Sequence, residues 1–105
     1  MRKKIYNKLV RDKIPDIIQM QGSISIIQTL NDREFSEALY KKLWEEVEEF
    51  LLDYNVEELV DVYEVLLAIL HVHNISFDEF EEMRNKKSQE KGVFEKRIFL
   101  ISVDE

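Results

Sequence analysis

The stretch Trp44–Leu67, WEEVEEFLLDYNVEELVDVYEVLL, puts two tight acidic clusters on what reads as the two arms of a helical hairpin. Glu46 and Glu49 are three residues apart, as are Glu58 and Asp61, so each pair shares one face of a helix. On a wheel turning about 100° per residue, Leu39, Leu43, Val47, Phe50 and Leu51 form the apolar stripe of the first arm. Glu46 lies at the shoulder of that stripe and Glu49 a little further out, while Glu45 and Glu48 fall on the solvated side. On the second arm Leu59, Val62, Leu66 and Ile69 form the core stripe, widened by Tyr63, Val65, Leu67 and Leu70, which predicts a largely buried helix. Glu58 projects between the directions of Val65 and Ile69, and Asp61 lies at the edge of that face. Carboxylates on a mostly apolar helix cost stability unless protons, cations or hydrogen bonds satisfy them. At a rise of about 1.5 Å per residue, both pairs fall within one or two turns of the same hairpin end. Glu46, Glu49, Glu58 and Asp61 can therefore converge, and an all-oxygen set of this kind suits Mg²⁺ or Mn²⁺.

Plainer roles compete for these residues. Glu58 stands three after Asn55, where it can close a capping box, and acidic residues near a helix start gain from the macrodipole. Asp61 resists that explanation, being past the first turn, poor in helix propensity and flanked by core residues. A di-iron bundle would need Glu-x-x-His pairs. His71 and His73 are preceded three back by Ala68 and Leu70, which argues against that chemistry, and in the last turn of a helix the histidines can favour the C-terminal dipole. No nucleophile elbow, Gly-rich phosphate loop or catalytic triad signature is present.

The elements that must hold the carboxylates follow from caps and breaks. A first helix is predicted from Asp12, as N-cap, to about Met20, with Pro15 in the first turn and Gly22 as the stop. SISIIQTL (Ser23–Leu30) has strand character. Asn31 and Glu34 form a capping box that opens a long helix to about Asp53; Tyr54-Asn55 makes the turn, and a third helix runs to about His73. Ser76 and Glu79 open a fourth, ending near Lys91 before Gly92. RIFLISV (Arg97–Val103) is too apolar for a tail, and since a lone strand is unstable it is expected to pair with Ser23–Leu30 beside the helices. The expected fold is mainly α, a bundle of about four helices with a small two-stranded β element, in one domain spanning 1–105.

Composition agrees. With 105 residues, 45% of them hydrophobic, the chain has the makings of one packed domain, while two Gly and one Pro favour long helices. The absence of Cys removes disulfides and thiolate metal sites. The opening MRKKIYNKLVRDKIPD lacks a signal peptide's apolar core and no run approaches about 18 apolar residues, so a soluble cytoplasmic protein without a membrane partner is expected. A net charge of −7 argues against a nucleic-acid polymer as partner. Lys and Arg gather near both ends and acid in the middle, a distribution that could hold a metal-bound phosphate.

Glu45-Glu46-x-x-Glu49 followed by Glu58-x-x-Asp61 resembles the EExxE…ExxD signature of the all-α nucleoside triphosphate pyrophosphohydrolases, the MazG-like superfamily. YNKLVRDKIPDII (Tyr6–Ile18) and KGVFEKRIFLISV (Lys91–Val103) extend the likeness to its small phosphoribosyl-ATP pyrophosphohydrolase-like members, over nearly the whole chain. The spacer between the motifs, residues 50–57, is shorter than in many relatives, so the hairpin loop is minimal. The resemblance implies Mg²⁺ bound by Glu46, Glu49, Glu58 and Asp61, and hydrolysis of a nucleotide to a monophosphate plus pyrophosphate. Glu45 or Glu46 would accept the proton of the attacking water. Lys8, Arg11 and Lys13, with Arg84, Lys87 and Lys91 on the last helix, would face the phosphates. It also implies a homodimer or homotetramer whose helices complete the bundle, consistent with an apolar Val56–Leu70 too wide for one chain to cover. The alternatives are phosphoribosyl-ATP hydrolysis in histidine biosynthesis and a non-catalytic helical binding protein.

Overall fold

The computed structural model describes residues 2–105, which form four helices: α1 (Ile14–Met20), α2 (Asp32–Asp53), α3 (Val56–Val72) and α4 (Phe77–Lys91). The protein is thus mainly helical. The chain divides into two compact units, one ending at Asn74 and the other comprising Ile75–Glu105.

Local chemistry sets the ends of the helices. Asn31 Oδ1 accepts from Glu34 N at 2.9 Å while Glu34 Oε1 accepts from Asn31 N at 3.2 Å, closing the capping box that opens α2. Tyr54, with φ 53°, takes the left-handed conformation that ends α2, and Asn55 then caps α3. This two-residue link turns α3 back along α2, and the two helices pack together. Leu39 and Leu70 are the buried apolar side chains, at 3% and 8% exposure. Each lies 14 residues from the hairpin turn, counted from Asp53 and Val56, so both stand about 21 Å along the hairpin. Tyr40 Oη and His73 Nε2, 2.9 Å apart, join the helices at that same end.

Three expectations need correction. The helix α1 starts at Ile14, with Lys13 in the cap position and no side-chain cap; Pro15 sets the start, and Asp12 lies one residue too early to cap it. Gly22, with φ 87°, ends the turn that follows α1, and Ser23 N donates back to Ile18 O at 3.2 Å. The two-stranded element is not formed: no strand is present among the described residues, and Ser23–Leu30 and Arg97–Val103 pair with nothing. Strand propensity requires a partner edge and a face to cover. Here Ile24, Ile26, Phe99 and Ile101 are each more than four-fifths exposed. Finally, α3 is not the largely buried helix its apolar circumference predicts. Leu59, Val60 and Tyr63 are exposed, because one neighbouring helix can cover only one stripe.

The second unit is α4 with its flanking chain. Ser76 Oγ accepts from Glu79 N at 3.1 Å and also donates to Glu79 Oε1, fixing the start of α4, and Gly92 follows its end.

Candidate metal centre

Glu46 is the most telling side chain of the hairpin. It is 7% exposed, the one buried charged residue among those described. Its Oε1 lies 3.2 Å from Lys42 Nζ, one helical turn earlier, while Oε2 is buried without a hydrogen-bond partner. An ionised carboxylate removed from water with an orphaned oxygen is costly, so a native chain keeps one where another ligand completes it.

Its neighbours supply that site. Glu46, Glu58 and Asp61 each offer a ligand atom, and these atoms all lie within 4.8 Å of one another. Two oxygens on opposite sides of an Mg²⁺ ion stand about 4.2 Å apart, so the group needs little adjustment to hold a divalent cation. Glu58 is free for this role because the expected capping box does not close. Asn55 Oδ1 accepts instead from Glu57 N at 3.0 Å, and the Glu58 carboxylate makes no return bond to Asn55 N. Partial burial, then the negative charges of Glu49, Asp53 and Asp61, raise the Glu58 carboxyl above its ordinary range. Glu58 thus holds its proton more tightly than an isolated glutamate does.

Lys8, Val10, Arg11, Ile14, Lys42, Glu46, Glu49 and Asp61 line a cleft of about 270 Å³. Arg11 Nη2 donates to Asp61 Oδ1 at 2.6 Å, and its Nη1 lies 3.6 Å from Glu64. Acid and base therefore face one another across one cavity, an arrangement suited to a cation and an anion bound together. The cleft is smaller than the roughly 300–1,000 Å³ pockets that enclose a whole drug-sized ligand. A second cavity of about 210 Å³, beside Gln19, Ser23, Ile24 and Ser25, carries no titratable group.

The remaining candidates fall as follows. Glu49 lines the cleft and acts on Glu58, but stands outside the three-residue group. Glu45 lies 3.9 Å from Lys42 Nζ and is not part of the cleft wall. Lys8 and Arg11 line the cleft, whereas Lys13, at the N-cap of α1, does not. Arg84, Lys87 and Lys91 belong to α4 in the other unit, where Arg84 is paired with Glu81 through Nε and Nη2 at 2.9–3.2 Å. That pairing lowers the Glu81 carboxyl and raises the Arg84 guanidinium. Sequence reasoning overlooked Lys42 and Glu64, although Lys42–Glu46 at i,i+4 and Asp61–Glu64 at i,i+3 are spacings that bring side chains together.

The fold and the site define a mainly helical protein with an acidic group able to hold a metal ion. The chain is 50% identical over 42 residues to an uncharacterized protein of Mycolicibacterium smegmatis, a match covering 40% of this chain and 43% of that protein. No family model and no solved structure matches it.

Proposed function

We propose that the protein is an Mg²⁺-dependent nucleotide pyrophosphohydrolase of the MazG-like kind. It would cleave the α–β phosphoanhydride of a nucleoside triphosphate or related nucleotide, giving a monophosphate and pyrophosphate. The observation that carries this reading is the orphaned, buried Glu46 oxygen beside Glu58 and Asp61, in a cleft whose remaining wall bears Lys8 and Arg11. A polyanion entering these carboxylates alone would be repelled. Bound Mg²⁺ supplies the Lewis acidity and the reversal of local charge that let phosphate oxygens approach.

The chain's own residues do the rest. Glu46, Glu58 and Asp61 hold the cation, and Lys42 keeps Glu46 oriented through its other oxygen. Of the two carboxylates first considered as proton acceptors, Glu46 lines the cleft and Glu45 does not. Glu49, on the wall but outside the three-residue group, is the spare carboxylate left to take the proton of a water attacking the α-phosphorus. Lys8 and Arg11 would stabilise the charge gathering on the leaving pyrophosphate. The exposed face of α3 supports a homodimer that completes the helical bundle.

The test is pyrophosphate release from a panel of nucleotides, phosphoribosyl-ATP included, with and without Mg²⁺. Release that needs the metal and falls more than about a hundredfold in Glu46→Gln and Asp61→Asn is expected, since even residues outside a metal's first shell cost 10–100-fold. No release from any nucleotide, or release indifferent to both substitutions, rejects the reading.

A further inference from the structure

Arg11 already pairs with a carboxylate that the cation would claim. Its Nη2 sits 2.6 Å from Asp61 Oδ1, across 50 positions of sequence, and Asp61 is one of the three converging ligands. A guanidinium is only a donor and stays charged, so its positive charge opposes a cation arriving at that carboxylate. Moving away relieves that repulsion. The structure makes the movement easy. Both members of the pair are about half exposed, at 50% and 41%, so a change of partner involves little desolvation. Arg11 also precedes α1 in a segment without helix, where its carbonyl accepts from Ile14 N, so the side chain can turn without unmaking a helix. Glu46 is the opposite case: buried, held at one oxygen by Lys42 and orphaned at the other, it stays aimed into the cluster.

We infer that Arg11 is a displaceable internal cation. It neutralises Asp61 until a divalent cation takes that carboxylate, and the released guanidinium, still on the cleft wall, then binds the phosphate oxygens of the substrate. This rests on the metal-centre reading above. Metal loading and the availability of Arg11 to an anion are one exchange, so the cleft acquires its anion-binding arginine only when the metal is in place.

Removing the guanidinium therefore acts in opposite directions on two ligands. Arg11→Gln loses a competitor for Asp61 and a positive charge beside the cation, so Mn²⁺ alone binds about three- to tenfold more tightly. The same variant loaded with Mn²⁺ binds a non-hydrolysable nucleoside triphosphate analogue about tenfold more weakly or worse, having lost a charge-assisted contact. Calorimetric titration of Mn²⁺ into metal-stripped wild type, Arg11→Gln and Arg11→Lys, followed by the analogue, reads both quantities. Asp61→Asn serves as the reference for a lost ligand, and circular dichroism reports folding. Arg11→Lys, which keeps the charge but not the fork, should fall between wild type and Arg11→Gln. Arg11→Gln binding Mn²⁺ no more tightly than wild type, while Asp61→Asn still loses it, overturns the exchange and leaves the metal centre intact. Undiminished analogue binding overturns it as well. Wild type without saturable Mn²⁺ binding overturns both readings together.

Discussion

Glu58 carries the clearest electrostatic signature of the converging carboxylates. Its carboxyl is raised by partial burial and by three neighbouring acids, so the folded chain holds that proton more tightly than the unfolded chain does. Its contribution to stability is therefore full below the ordinary glutamate range and is lost as pH rises through the raised value. In metal-stripped protein, Glu58→Gln should raise the thermal midpoint at neutral pH and flatten the change seen between mildly acidic and neutral buffers. Mg²⁺ should raise the midpoint of wild type and not of Glu58→Gln, because the amide cannot supply the charge that the cation offsets. A lower neutral midpoint in Glu58→Gln would contradict this account. At Glu46 the balance differs: Lys42 compensates one oxygen only, and the other stays committed to the cluster.

At the scale of elements, the hairpin is held at two levels. Leu39 and Leu70 close the end far from the turn, and the carboxylates sit nearer the turn, where the cleft opens. Leu39→Ala should destabilise the fold by about 2–5 kcal/mol, since it empties the most buried apolar position. Denaturant unfolding measures this, and a loss below about 1 kcal/mol would show that the site collapses or is not buried in solution. The caps make a finer comparison. Asn31→Ala removes one half of a reciprocal box and should cost about 1 kcal/mol. Asn55→Ala removes a single bond to Glu57 N and should cost no more than that, while leaving the Glu58 carboxylate free as before. Had the second box closed, Glu58 would have been bound to the cap and the candidate site reduced to two residues.

For the whole molecule, the apolar surface of the first unit is the outstanding feature. Trp44, Leu52 and Val60 are 68%, 81% and 60% exposed on the paired helices α2 and α3, and chains seldom leave such patches to water without a partner. Light scattering at micromolar concentration should give at least a dimer, and Val60→Glu should reduce the mass by placing a charge in an apolar interface. A wild-type monomer would reject this assembly. No single helix among the described residues is long and apolar enough to cross a membrane.

The helices and their limits were written in local chemistry. Asn31 with Glu34, the Tyr54-Asn55 turn and Ser76 ahead of α4 are short-range signals, and periodicity already set Glu46 at the edge of the apolar stripe. The sequence alone thus determined four helices and a hairpin able to gather carboxylates. Other features depended on which of several partners a side chain takes, or on distances between residues remote in the chain, neither of which spacing settles. Only the tertiary structure showed that Glu58 is released from its cap, that Glu49 stands outside the three-ligand group and that Glu45 turns toward Lys42. It alone brought Arg11 to Asp61, because an ion pair across 50 positions is set by how the segment before α1 lies along the hairpin. The strand-like segments fail for the same reason: propensity is local, but a strand exists only when a partner edge comes to meet it.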